Sequence, residues 1–332
     1  MSYGAQTKFA IARQTAAGSG SAATDPGSFH HFPFINEDIG LEKDEVISQN
    51  LTGRFEQGAT YGGINRITGV IEYEPTPKAV GMALTAVMKQ PTSVSSADLR
   101  TYTFFPRTQD FSSTIINEPC TVYKQWSDAS SAECYFDVQF GQLEFTFTQG
   151  QLLRSRMTCA GGSRMFNGVG SMGIVLDSTD LGMNWRWDVA SVSYGGAAVA
   201  NYSEVTVSIN ENLDALYTLN GTLSPYKFTR TTFREVTVQG TMYFADRNVL
   251  NDFASDAQRR LIITARNTLT AIQSGYYPTL EIDVPQLKIT QFKPGNTGPG
   301  EVAVSFTGRG VIDSSSNYVL KVTLINTYGA GY

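Results

Sequence analysis

At 332 residues, with a formal net charge of -5 and a pI near 5.2, the chain can bury a sizeable core, and its length suggests two domains of about 150 residues each. Charged residues make up 17% against roughly 25% in an ordinary soluble domain, and Gly, Thr, Ser, Tyr and Phe are plentiful, which favours strands and turns over helices. No basic stripe suits adhesion to a phosphate backbone, no apolar run is long enough to span a bilayer, and the first twenty residues lack the order of a signal peptide, so synthesis in the cytoplasm is expected.

Residues 1–45 hold small residues, the aromatic stretch FHHFPF and the acidic NEDIGLEKDE. They read as an extended arm that takes its order from the body of the protein or from a neighbouring copy. Its acidic residues Glu37, Asp38, Glu42, Asp44 and Glu45 read as a solvated face. LTGRFEQGATYGGIN, residues 51–65, reads as a long loop. A strand ending at Tyr73 follows, then a helix with Thr76 as N-cap, Pro77 in its first position and an apolar stripe of Val80, Ala83, Leu84, Val87 and Met88.

FDVQFGQLEFT, residues 136–146, alternates apolar and polar with period two, and its apolar phase jumps by one residue after Gly141. Glycine is tolerated at a bulge or corner, so the segment reads as one strand kinked at Gly141. LLRSRMT then puts Leu153, Ser155 and Met157 on one face. Residues 166–203 read as a Gly-rich linker anchored by NWRWDV, whose Trp185 and Trp187 would share a strand face.

The second half repeats this order. FREVTVQGTMYF is a strand with an inner glycine, Gly240 in place of Gly69, and a short helix follows with Asp246 as N-cap and Val249, Leu250 and Phe253 buried. LEIDVPQLKIT, residues 280–290, aligns with FDVQFGQLEFT without a gap, and Pro285 takes the place of Gly141 as the kink. VAVSFT, with Val302, Val304 and Phe306 on one face, and the closing strand YVLKVTLIN complete the set. The expected organisation is therefore an arm at 1–45, a first fold at 46–165, a linker at 166–203 and a second fold at 204–332.

The chemistry is sparse. GVGSMG, residues 168–173, fits a dinucleotide-binding glycine pattern but precedes strand-like rather than helical sequence, so it reads as a structural loop. His30 and His31 are adjacent and would point to opposite strand faces, which suits neither a shared metal nor a catalytic triad. Cys120, Cys134 and Cys159 are odd in number and irregularly spaced, as reduced, buried thiols would be. The acceptor patterns at Asn50, Asn201 and Asn220 carry no weight without a secretory signal. No catalytic residue, metal site or cofactor is expected.

The opening AQTKFAIARQTAAGSGSAA, the loop, strand and helix of residues 51–88, and the series FGQLEFT, LLRSRMTCAGG, VTVQGTMYFAD, LEIDVPQLKIT, VAVSFTGRG and VLKVTLIN resemble the tail tube (major tail) proteins of long-tailed bacteriophages. The likeness covers residues 3–327. It implies a mainly β chain of two tandem tube folds, each a β-sandwich-like sheet with one flanking helix, whose inner strands form a β-barrel shared by several subunits. It also implies a non-enzymatic virion protein of a siphovirus-type tail, assembled in the host bacterial cytoplasm as stacked rings that conduct the genome. Two folds per chain make a trimer with pseudo-sixfold symmetry the favoured ring, ahead of a hexamer with decorated second domains. The implied partners are further copies of the chain, the tape measure protein, the tail terminator and the distal tail protein, with double-stranded DNA in transit and no membrane. Alternatives are a distal tail or terminator protein with the same fold, or a carbohydrate-binding β-sandwich.

On this reading the polar faces of the kinked strands line the channel: Asp137, Gln139, Gln142 and Glu144 in one copy, Glu281, Asp283, Gln286 and Lys288 in the other. Most of those with charge are acidic, and like charge would keep DNA from adhering. Phe29, Phe32, Phe34, Trp185 and Trp187 are the expected anchors between subunits.

Overall fold

The computed structural model describes residues 7–14, 30–49, 59–89, 91–96, 99–126, 132–167, 183–219, 221–244, 247–269, 271–273, 275–295 and 302–327. The first half contains β1 (Lys8–Arg13), β2 (His30–His31), β3 (Asn36–Glu37), β4 (Gly40–Ile47), β5 (Thr60–Tyr73), α1 (Pro77–Val87), β6 (Thr92–Ser96), β7 (Leu99–Phe104), β8 (Cys120–Gln125), β9 (Ala132–Thr148), β10 (Arg154–Gly161) and β11 (Arg164–Asn167). The second contains β12 (Ala190–Tyr194), β13 (Ala197–Val199), β14 (Tyr202–Asn210), β15 (Leu213–Leu216), β16 (Lys227–Arg230), β17 (Glu235–Tyr243), α2 (Asn248–Ala254), β18 (Gln258–Arg266), β19 (Thr279–Gly295), β20 (Ala303–Val311) and β21 (Lys321–Asn326). The chain is mainly β, with antiparallel pairing throughout, and no described helix is long and apolar enough to cross a membrane.

β9 and β19 are the organising strands, each 17 residues long and each shared between two sets of partners. The first part of β9 pairs with β8 and β11, its last seven residues pair with β14, and β10 runs alongside from Thr146 back across the corner to Gln139. The change falls at Gly141, which the register skips between Gln142 opposite Thr158 and Phe140 opposite Cys159. In β19 the register shifts between Leu287 opposite Arg259 and Val284 opposite Leu261, so that Pro285 and Gln286 stand across from Arg260 alone. One extra residue re-aims the strand. This explains the phase jump: the strand turns a corner between sheets while its apolar side chains stay in the same core. Val138, Phe140, Leu143 and Phe145 all belong to that core, as do Ile282, Val284, Leu287 and Ile289.

The strand pairings of the two halves correspond. β1 with β2 and β8, β8 with β9, β9 with β10 and β11, β10 with β5, and β5 with β4 make one set. β12 with β13 and β18, β18 with β19, β19 with β20 and β21, β20 with β17, and β17 with β14 make the other. β1 of the expected arm and β12 of the expected linker thus hold equivalent places. The arm takes its order from the body: Phe9, Ala10, Ile11 and Ala12 are buried, and Lys124, itself buried, holds Glu37 at 2.7 Å and donates to the Ile39 carbonyl at 2.8 Å.

α1 forms as its sequence dictates. The Thr76 hydroxyl accepts from the Ala79 N–H, Pro77 fills the first turn, and Val80, Ala83, Leu84 and Val87 are buried against β9 and β21. α2 departs from expectation. Asp246 lies outside the described residues, and Arg247 stands at the N-cap without a side-chain bond. Val249 is buried as expected, but Asp252 is buried beside it in an ion pair with Arg259 (3.2 Å), and Phe253 is exposed enough to stack on Phe292. A seven-residue helix has too few turns for a full stripe, and the polar pair takes one of its inward places. Phe29, Asp246 and the whole GVGSMG loop lie outside the described residues.

Candidate functional site

The pairings place eight strands side by side in the order β4, β5, β10, β9, β14, β17, β20, β19. β9 of the first half and β14 of the second meet at its centre, Glu204 opposite Thr148 through Asn210 opposite Gln142. One face of this sheet is core: Leu143, Phe145, Val205, Val207, Ile209, Val236, Val238, Val304 and Phe306 are buried. Period-two alternation puts polar residues on the other. That face carries Gln142, Glu144, Thr146 and Thr148 from β9, Thr206, Ser208 and Asn210 from β14, Thr237, Gln239 and Thr241 from β17, and Ser305, Thr307 and Arg309 from β20, all at least partly exposed.

Its chemistry is that of hydroxyls and amides with few unpaired charges. Gln142 donates to the Ser208 hydroxyl (3.1 Å), Thr206 bonds Thr146 (3.2 Å), and a shallow polar groove runs over Glu144, Ser208, Glu235 and Thr237. Arg309 faces Glu235 at 3.1 Å, Arg156 faces Glu72 at 3.8 Å, and Lys288 faces Asp256 at 2.9 Å. These exposed pairs add little stability, but they balance the surface charge.

The residues expected along a channel wall divide into three groups. Gln142, Glu144 and Lys288 stand on the open polar face. Glu281 is half-buried on the first part of β19, 4.0 Å from Lys321, and Gln286 donates to Asp313 at the corner (2.8 Å). Asp137, Gln139 and Asp283 are buried, which corrects the expectation that they face outward. They precede the kink, where the polar side of the strand is roofed by other chain segments. Asp137, at a positive φ of 53°, accepts from the Ser163 hydroxyl, and Gln139 accepts from the Asn117 N–H at 2.9 Å. Asp283 receives both guanidinium arms of Arg260 at 2.8 Å, the Tyr318 hydroxyl at 2.8 Å and Lys321 at 3.2 Å. Burial pushes its carboxyl pKa up, but the bonds from Arg260, Tyr318 and Lys321 outweigh burial and hold it below the ordinary value. Of the charged residues so expected, the open face carries Glu144 and Lys288, one of each sign.

The expected anchors divide as well. Phe32 is fully buried against Tyr73 and Phe9, and Phe34 packs on Phe9. Trp185 is fully buried and donates from its indole nitrogen to the Pro278 carbonyl (3.3 Å), while Trp187 begins a 3-10 turn and is exposed. Phe32 and Trp185 are thus core residues, and the two tryptophans do not share a strand face. Alternation could not apply, because the extended backbone ends at Arg186 and the 3-10 turn begins at Trp187.

A second polar knot had no local mark in the sequence. Glu211, fully buried, takes Arg234 at 2.5 Å and Arg230 at 3.2 Å; Arg230 also reaches Asp110 (2.5 Å), and Arg234 donates to the Arg107 carbonyl (2.6 Å). Arg107 and Arg13 in turn hold the buried Glu118. This chain of pairs ties β1, the segment after β7 and the β15–β16 hairpin together across 120 or more residues of sequence.

Cys120, Cys134 and Cys159 are free and buried, and burial pushes the thiols of Cys134 and Cys159 up to about 12, so they stay protonated at neutral pH. Among the described residues no group of three or more His, Cys, Asp or Glu could hold a metal ion. A family model described as "Phage tail tube protein" matches residues 4–310. No curated protein matches the chain.

Proposed function

The chain belongs to the phage tail tube protein family, and on that premise we propose that it assembles as stacked trimeric rings into the tail tube through which the genome is delivered. The carrying observation is the eight-stranded sheet built from two corresponding halves. Inside one chain the halves meet through β9 and β14. β19 occupies the place of β9, and β4, as the partner of β5, occupies the place of β14 as the partner of β17. Among the described residues, β4 pairs only with β5, and β19 beyond Lys288 pairs only with β20. These are open sheet edges, a liability that ring closure removes.

Three copies joined edge to edge supply 24 strands from eight each. At about 4.8 Å between strands and a tilt of about 40°, such a barrel is on the order of 48 Å across between backbones. One chain alone would close on a filled interior. The balanced polar face, turned inward, offers phosphates no cationic stripe to adhere to and little net repulsion. Membership in a structural family fits the lack of a catalytic constellation in the sequence. The tape measure, terminator and distal tail proteins are proposed as partners at the ends and in the lumen, and the mature location as the virion.

Negative-stain imaging of concentrated purified protein tests the tube reading. Long hollow tubes of constant diameter are expected. A terminator or distal tail protein would stop at single rings.

A further inference from the structure

The arm meets the body at two buried charges. Lys124 of β8 and Glu37 of β3 touch at 2.7 Å, and each side chain is only 6% exposed. The other buried carboxylates are held from several sides: Asp283 takes Arg260, Tyr318 and Lys321, and Glu211 takes Arg230 and Arg234. Glu37 differs from them. Lys124 is its one ion-pair partner among the described residues, and its Oε2, although in contact with Nζ, has no aligned hydrogen-bond donor there. The amine instead donates to the Ile39 carbonyl at 2.8 Å, and the Trp126 and Tyr135 rings cover it at 5.5 and 6.0 Å. A buried ion pair is costly unless further hydrogen bonds satisfy it, and this one lacks them on the carboxylate side.

A second carboxylate stands beside the pair. Glu133 lies directly opposite Lys124 in the β8–β9 register, so the two share a sheet face, and it accepts from the Tyr135 hydroxyl at 2.7 Å. Burial, the bond to Glu133 and the nearby charges of Glu133 and Glu37 keep that hydroxyl protonated. An amine, a carboxyl group and a carboxylate–phenol pair able to carry a proton therefore converge in one enclosed site. We propose that Lys124 and Glu37 join in an intramolecular isopeptide bond, with Glu133 and Tyr135 carrying the proton. One proton passes from the ammonium to the Glu37 carboxylate, and the neutral Nζ attacks Cδ. The N–C bond forms, one C–O bond breaks, and a second proton from the nitrogen follows the leaving oxygen, by way of Glu133 and Tyr135, to complete a water molecule. Ammonium and carboxylate thus become amide and water, with no change of oxidation state and no co-reactant. Holding the two groups in contact is equivalent to an effective concentration of about 10⁵–10⁸ M, and excluding water opposes hydrolysis of the product. The bond would enclose β4, β5, α1, β6 and β7 in one covalent loop and give the two-residue β3 a permanent tie to β8. It lies within one chain, so it is independent of the number of chains in a ring.

The test is mass spectrometry of the folded full chain after tryptic digestion. The peptides carrying Glu37 and Lys124 should appear as one branched species, uncut at Lys124 and lighter by one water than the two together. Two unlinked peptides, with cleavage at Lys124, overturn the proposal, and this result comes from the unaltered chain with no variant needing to fold. Lys124→Arg keeps the cation but removes the nucleophile, so with an unchanged circular dichroism spectrum the branched species should vanish; its persistence overturns the assignment to Lys124. Glu133→Gln leaves both joined groups in place. At the time when half of freshly synthesised parent chains are linked, its linked fraction should be at least tenfold smaller, and a fraction equal to the parent's overturns the part given to Glu133.

Discussion

Trp185→Ala is expected to lower unfolding free energy by about 3–5 kcal/mol, the range for emptying a fully buried large aromatic site. The indole is completely enclosed, donates to the Pro278 carbonyl, and its own carbonyl accepts from the Leu153 N–H at 2.8 Å. It thereby joins the turn after β9, the segment leading into β12 and the start of β19, so its loss loosens the junction of the two halves as well as opening a cavity. Urea titration of the two variants Trp185→Ala and Trp187→Ala makes the comparison internal. Trp187 is about half exposed (47%), and its truncation should stay within about 0.5 kcal/mol of the parent. Equal losses for the two would show that Trp185 is not the anchor described.

Gly69→Ala is expected to cost at least about 3 kcal/mol, from backbone strain and steric conflict together. Gly69 has φ +138°, and a Cβ there would lie 2.5 Å from the Ile39 Cα and 2.7 Å from the Asp38 carbonyl oxygen. Those are backbone atoms, so no rotamer change relieves the clash. β5 passes from β4 to β3 and β10 around this residue, and the Asp38 carboxylate accepts from the Val70 N–H beside it. The substitution therefore presses apart the strand that carries one open edge of the sheet. Gly62→Ala is the control: a Cβ there meets nothing within 4 Å, and its effect should be within about 0.5 kcal/mol. Melting temperatures by differential scanning calorimetry separate the two, and indistinguishable values would contradict the close approach.

The parts of the fold readable from sequence were those written in local periodicity. α1 shows its cap, its proline and its stripe within a dozen residues, and the kinked strands show alternation with a phase jump at Gly141 and Pro285. β1 and β12 were hidden because KFAIAR and ASVSY share no pattern; only their pairing with β8 and β18 makes them equivalent. The same limit governed the site. Gln142 and Glu144 follow the kink and stand on the open face, whereas Asp137, Gln139 and Asp283 precede it and are covered by residues as distant as Asn117, Ser163 and Tyr318. Alternation says which side of a strand a residue takes. It does not say whether another segment lies over that side. Glu211 and its arginines were invisible for the same reason, since their partners converge only through tertiary structure.

The central claim is that one chain supplies two of six equivalent places around a ring. Counting chains per ring tests it most directly, by reconstruction of assembled tubes from electron cryomicroscopy without imposed symmetry, with native mass spectrometry of single rings as a cross-check. The account predicts three chains, 24 strands around the lumen, and density that departs from sixfold at the β15–β16 hairpins. Six chains related by strict sixfold symmetry would contradict it.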